Sequence, residues 1–223
     1  MELTFIYFDI PFWRSEVGKI ALFLGGVEFN NKKITSEEFQ RVKENGHLDD
    51  GTIIPFHQFP CLIVDGVSIA QTGGIARFCG KLSNMYPVTN DIAAAQIDQY
   101  LDIATDITVL VSSAGGEKDD DKRRIMRQEM CSGALGRKLQ ILDKNIAAGS
   151  EWIVGQCMGL ADIAIWRLMG WLSSGMLDGI PTNLLVGYPN ISRVCLAVDR
   201  HPRIQEWVNQ TYPQNYNRGN YSD

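Results

Sequence analysis

The chain has 223 residues and a net charge of −5, with 45% of its residues hydrophobic and 21% charged. This composition excludes a disordered, collagen-like or coiled-coil chain, and the acidic balance argues against a nucleic-acid binder, which needs basic residues to meet phosphates. No apolar run approaches the roughly 20 residues of a bilayer span.

In chain order, Leu3 to Phe8 (LTFIYF) is rich in β-branched and aromatic residues and reads as a strand. Arg14 to Leu24 places Val17, Ile20, Ala21 and Leu24 at helical spacing. Val27 to Ile34 is a second strand candidate, and Ser36 is positioned to cap a short helix from Glu37. Glu44 to Gln58 carries Gly and Asp-Asp-Gly and reads as a surface loop. Cys61–Val64 and Val67–Ala70 flank Asp65-Gly66, a hairpin signal. Thr72 to Lys81 reads as a helix whose first turn is weakened by Gly73 and Gly74. Strand, helix, strand implies parallel pairing, and the hairpin adds an antiparallel edge.

After Leu82 the texture changes. Residues 1–82 form a first domain, 83–90 a linker and 91–223 a helical second domain. Helices are predicted over Asp91–Ser113, Lys122–Ala148, Ala161–Ser173, Ile191–Val198 and Pro202–Val208. In the run Asp119-Asp120-Asp121-Lys122-Arg123-Arg124 the acids precede the bases, as a solvated helix start favours. The N-terminus shows no basic-then-apolar leader, so no signal peptide is expected. The five cysteines, Cys61, Cys79, Cys131, Cys157 and Cys195, are scattered without a CxxC pair. The expectation is a reduced, soluble, cytoplasmic protein with neither disulfide framework nor metal.

Three places carry candidate chemistry. Tyr7 ends the first strand, where open α/β sheets place ligands, and its phenol suits an anion; an aromatic packing role is the plainer alternative. Phe59-Pro60 enters a strand, so its backbone either pairs with an extended peptide ligand or simply opens the strand. Gln71-Thr72 begins a helix, whose free amides suit a carboxylate; alternatively Thr72 only caps.

Taken together, the motifs resemble the cytosolic glutathione transferases, most closely the sigma class, which includes glutathione-dependent prostaglandin D synthases and S-crystallins. The matching segments are Tyr7-Phe8-Asp9, Arg14-Ser15-Glu16, Phe39-Gln40-Arg41-Val42-Lys43, Phe56-His57-Gln58-Phe59-Pro60, Val64-Asp65-Gly66, Gln71-Thr72-Gly73-Gly74-Ile75-Ala76-Arg77-Phe78 and Gly159-Leu160-Ala161-Asp162-Ile163. The chain departs from the family pattern at Phe39 (tryptophan expected), Thr72 (serine expected), the Ile10-Pro11-Phe12-Trp13 turn and Gly159, which cannot supply the capping hydroxyl.

The resemblance implies an α/β thioredoxin-like domain followed by an all-α helical bundle domain, in a homodimer. It also implies site roles. Tyr7 would hydrogen-bond the glutathione sulfur, with Arg14 beneath the site. Gln71 and Thr72 would bind the γ-glutamyl group. The Phe59 backbone, next to a cis Pro60, would pair with the cysteinyl unit. Lys43 and Gln58 would reach the glycine end, beside Phe39. Asp106 would reach the partner subunit's glutathione amine; the alternative for Asp98, Asp102 and Asp106 is a solvated acidic stripe. Glutathione would be a co-substrate, and a hydrophobic electrophile would sit in a pocket of the second domain with Phe12 or Trp13 at its rim.

The thiolate, not the thiol, is the nucleophile. Moving a thiol from about 8.5 to about 6.5 requires roughly 2.7 kcal/mol of preference for the anion. One charge-assisted hydrogen bond contributes roughly 1.5–3 kcal/mol, so a single phenol nearly suffices. The expected activity is glutathione conjugation to small electrophiles. The alternatives are glutathione-dependent isomerisation of a lipid peroxide and a non-catalytic, S-crystallin-like binding protein.

Overall fold

The computed structural model describes residues 1–221. The chain divides into two units, Met1–Asp91 and Ile92–Asp223.

The first unit runs β1 (Leu3–Phe8), α1 (Trp13–Leu24), β2 (Asn30–Ile34), α2 (Ser36–Asn45), β3 (Cys61–Val64), β4 (Val67–Ala70) and α3 (Thr72–Leu82). Its sheet has the order β2-β1-β3-β4, with β1 parallel to β2 and antiparallel to β3. The β3–β4 hairpin turns at Asp65 (φ 47°) and Gly66 (φ 83°), the left-handed pair that matches strand twist. Phe5 lies against α1: a Cβ on Gly18 would stand 2.9 Å from Phe5 Cε2, so glycine is what lets the helix approach the strand. Ile6, Ile34, Val42, Leu48, Ile54 and Cys61 form a separate buried cluster, with Phe8, Phe39, Phe59 and Ile63 packed against it. Each fully buried aliphatic side chain there contributes on the order of 1.5–3 kcal/mol.

Three expectations are corrected in this unit. β2 starts at Asn30, not Val27, because the Val27 amide is held by Leu22 O at 2.9 Å in the turn that ends α1. The cap of α2 is Thr35, not Ser36. Its hydroxyl accepts the Glu38 amide at 3.2 Å while Glu38 accepts the Thr35 amide at 2.7 Å, a complete capping box. The stretch from Glu44 to Gln58 is more than a surface loop: Leu48 and Ile54 are buried in the core cluster, His47 bridges Ile53, and Pro55–His57 makes a 3-10 turn.

The second unit contains α4 (Asp91–Ser112), α5 (Asp120–Ser132), α6 (Ala134–Asn145), α7 (Leu160–Ser173), α8 (Pro189–Arg200) and α9 (Pro202–Thr211). The single helix expected over Lys122–Ala148 is two, broken at Gly133, whose φ −114° and ψ −109° no helix admits. Asp119 caps α5 by accepting the Asp121 and Lys122 amides, each at 3.1 Å, which explains the acid-then-base run. α7 is buried on nearly every face and carries Arg167 wholly inside. Among the described residues no helix is long and apolar enough to cross a membrane. The architecture is a small thioredoxin-like sheet unit followed by a helical unit.

Candidate functional site

Register brings the candidate residues of the first unit to one end of the sheet. Ile6 pairs with Cys61 and Cys61 with Ala70, so Tyr7, Pro60 and Gln71 follow or precede these partners at the same edge. Phe8 pairs with Ile34, which sends the chain into α2 at that end as well. The N-termini of α1 and α3 start there, so Arg14 and Thr72 arrive with them.

Tyr7 is buried. Burial pushes its phenol well above the ordinary tyrosine value, the Arg14 guanidinium opposes this, and Glu16 adds to it. The phenol therefore stays protonated at neutral pH and acts as a donor, not a base. Arg14 is half-buried, with its guanidinium carbon 5.4 Å from the centre of the Trp13 ring, and burial pulls its own pKa down. Trp13 itself is completely buried, so it is a core residue and not a pocket rim; Phe12 remains half-exposed.

Phe39, Phe8 and Phe59 form an aromatic triad: Phe39 lies 5.2 Å from Phe8 and 5.9 Å from Phe59, and Phe8 lies 6.3 Å from Phe59. The Lys43 ammonium sits 4.3 Å over the Phe39 ring, an aromatic seat that needs no indole donor. The Lys43 carbonyl meets His57 Nδ1 at 3.0 Å, which ties α2 to the turn before Gln58. Gln58 is exposed, and the Phe59–Pro60 bond that follows is cis.

Gln71 caps α3 with φ 68° and ψ 126°, a conformation that L side chains rarely adopt. Such a backbone costs on the order of 1–3 kcal/mol and persists where its surroundings over-determine it, which is characteristic of ligand clamps. Its exposed side chain makes no cap hydrogen bond. Next to it the Thr72 hydroxyl is buried without a hydrogen-bond partner among the described residues. An unsatisfied buried hydroxyl costs about 1–3 kcal/mol, so this end of α3 is a place where a ligand acceptor would be rewarded.

Asp106 lies in the second unit, exposed on α4, with its carboxylate 3.2 Å from Lys138 Nζ on α6. Two features of the first unit escape sequence reading. One is the left-handed backbone of Gln71, which only its position between strand and helix hints at. The other is Lys19, which is buried on α1 with its ammonium 5.3 Å from the Phe5 ring centre and 6.0 Å from that of Tyr7.

All five cysteines are free thiols. Burial pushes Cys61 up to about 11 and Cys79 up to about 12, and Cys195 is also raised, so these thiols are poor nucleophiles. No cluster of three or more His, Cys, Asp or Glu side chains able to hold a metal occurs among the described residues.

Residues 3–80 match the family model for the glutathione S-transferase N-terminal domain, and residues 105–211 match that for the C-terminal domain. The chain is similar to Glutathione S-transferase 1 of Ascaris suum, 26% identical over 207 residues that make up 91% of this chain and 93% of the relative. It is also similar to the hematopoietic prostaglandin D synthase of Mus musculus, 25% identical over 203 residues, 91% of this chain and 93% of that one. In fold it resembles the solved glutathione S-transferase from Ascaris lumbricoides, with a TM-score of 0.76 and 24% identity, covering 97% of this chain and 100% of that one.

Proposed function

The chain belongs to the glutathione S-transferase family, and we propose that the edge of its first unit formed by Tyr7, Phe59 and the Gln71-Thr72 turn binds glutathione and activates its sulfur. The observation that carries the reading is the convergence of a buried, protonated phenol with the strained Gln71 backbone and the orphaned Thr72 hydroxyl at one end of the sheet. Gln71 and Thr72 take the γ-glutamyl carboxylate at the start of α3, where free amides favour an anion. The Phe59 backbone ahead of β3 takes the cysteinyl unit, and Lys43 with Gln58 takes the glycine carboxylate. Tyr7 donates its O–H to the sulfur, and the Arg14 charge favours the thiolate further. The thiolate then attacks an electrophilic carbon of an apolar co-substrate; the electron pair of the new C–S bond comes from sulfur and the leaving group departs with its own pair.

Conjugation of small electrophiles is the first reading of the overall activity, in a sigma-class-like homodimer. The second is glutathione-dependent isomerisation of a lipid peroxide, favoured by the similarity to a prostaglandin D synthase. In either case Asp106 of one subunit supplies negative charge for the γ-glutamyl ammonium of the partner, in competition with its own Lys138.

The experiment is a steady-state assay with glutathione and a chlorodinitrobenzene, beside a lipid endoperoxide, on wild type and Tyr7→Phe. Turnover of the aromatic chloride that falls in the variant supports conjugation. Turnover of the endoperoxide alone supports isomerisation, and binding of glutathione without turnover of either would return the chain to a non-catalytic role.

A further inference from the structure

Lys19 has the wrong chemistry for its address. It occupies the middle of α1 beside Gly18, the residue that brings the helix down onto β1, and only 4% of it is exposed. A lysine is almost never fully buried unless something compensates its charge. Here its ammonium lies against two aromatic faces in series, 5.3 Å from the Phe5 ring centre and 6.0 Å from that of Tyr7, both within reach of an appreciable cation–π attraction. Phe5 and Tyr7 are two apart on β1, so they share the face that α1 covers.

Four other charged groups act here: Arg14 on Tyr7; Glu16 on both Tyr7 and Lys19; and Asp9 and Lys33 on Lys19. Asp9 is also paired with Lys33 at 2.8 Å. Burial pulls the Lys19 pKa down, Glu16 and Asp9 hold it up, and Lys33 opposes them. The nearby Cys79 thiol, which lines Gly18 from α3, is held neutral by its burial.

From this geometry we infer that Lys19 is a positioning residue for the sulfur-directed phenol: its charge, seated against the Tyr7 ring, makes the O–H a stronger donor and fixes the ring's orientation. The inference rests on the reading of Tyr7 given above. A cation at the ring face stabilises negative charge that builds on the phenol oxygen when it donates to a thiolate, and the low-dielectric interior magnifies this. No proton leaves the tyrosine; the bound thiol loses its proton to solvent and the thiolate accepts the Tyr7 hydrogen bond.

The test compares Lys19→Met, which keeps the chain length without charge, with Lys19→Arg. S-methylglutathione, which has no ionisable thiol, reports binding; the pH profile of kcat/KM with glutathione and a chlorodinitrobenzene reports thiolate formation. Lys19→Met should bind S-methylglutathione within about twofold of wild type, while its acidic limb moves up by about one pH unit and kcat/KM at pH 6.5 falls about fivefold. Lys19→Arg should restore most of the loss. In a Tyr7→Phe background the Lys19→Met effect should vanish, because the phenol through which it acts is gone.

A Lys19→Met profile that overlies wild type overturns the inference, as does an unchanged Lys19→Met effect in the Tyr7→Phe background. If Lys19→Met does not fold, Lys19→Gln carries the same two outcomes. Wild-type turnover in Tyr7→Phe alone would instead overturn the reading of Tyr7 itself, a failure distinguishable from that of Lys19.

Discussion

Asp162 Oδ2 accepts the Gly159 amide at 2.8 Å while its Oδ1 accepts the Ile153 amide at 2.7 Å, so one carboxylate closes the start of α7 onto the loop before it. Gly159 has no hydroxyl to return the favour, and Asp162 does the capping alone. Its burial outweighs these hydrogen bonds and pushes its pKa up from 3.8 to about 6. The folded protein therefore holds this proton more tightly than the unfolded chain. The resulting stabilisation is fully present below about 4 and is lost as the pH rises through about 6. Relative to Asp162→Asn, wild type should gain about 2 kcal/mol of stability as the pH falls from 7 to 4. At pH 7 Asp162→Ala, which strands both amides, should cost about 2–4 kcal/mol. Urea unfolding across that pH range measures both, and a gap to Asp162→Asn that does not change with pH would show that the carboxylate never takes up its proton.

Tyr7→Phe keeps the packing of β1 and removes only the O–H. Loss of one charge-assisted hydrogen bond of about 1.5–3 kcal/mol predicts a kcat lower by roughly 10- to 150-fold. Affinity for S-methylglutathione should change little, because the tripeptide is held by other groups. Stopped-flow and equilibrium titration separate the two quantities, and an unchanged kcat would move the sulfur contact to another donor.

Thr72→Val is the sharper probe of the α3 start. Wild-type Thr72 keeps a buried hydroxyl without a partner among the described residues, and valine has the same shape without it. The variant should unfold at a slightly higher temperature in the absence of ligand, since an unpaired buried polar group costs about 1–3 kcal/mol. It should bind glutathione several-fold more weakly, with KM rising more than kcat falls. Gln71→Gly relieves the φ of 68° and loses the amide, and should shift both quantities in the same directions. Calorimetry that finds wild-type glutathione affinity in Thr72→Val would detach this hydroxyl from the γ-glutamyl group.

Much of this was legible because short-range chemistry dictates it. The Asp65-Gly66 hairpin, the acid-led start of α5 and the buried α7 are each written in a few adjacent residues. What stayed hidden depends on contacts far apart in sequence. Leu48 and Ile54 look like loop residues until Ile6, Ile34 and Cys61 are seen to need them as a lid on the core cluster. Gly133 breaks a helix that periodicity alone would continue. Nothing in the order of residues marks Glu16 and Lys19 as buried; the small Gly18 between them brings α1 close to Phe5, and both charged side chains lie inside. The resemblance to the glutathione transferases, carried by the order and spacing of short motifs, is what proposed Tyr7, Phe59 and Gln71-Thr72 as site residues. The backbone strain at Gln71 and the unmet Thr72 hydroxyl are properties of the folded chain only.

The C-terminal residues form a strap across α7. Arg167, fully buried, donates to Arg218 O at 3.0 Å and to the Tyr216 hydroxyl at 3.1 Å, and the Asn220 amide donates to Ser173 Oγ at 2.9 Å. Gly170 lies directly under this strap: a Cβ there would run into Arg218 O, the Tyr221 hydroxyl and Arg167 Nη1. Two effects compete in Gly170→Ala. Alanine gains about 0.8–1 kcal/mol of helix propensity. Overpacking against backbone costs about 1–3 kcal/mol, and a carbonyl oxygen anchored by Arg167 has little room to yield. The clash should win, lowering stability by about 1–2 kcal/mol and lifting residues 216–221 from α7. Limited trypsin digestion reads the lift, because the bond after Arg218 becomes accessible while the rest of the fold persists. A Gly170→Ala protein as stable as wild type, with Arg218 equally protected, would mean that the strap yields at no cost and that Arg167 holds it only loosely.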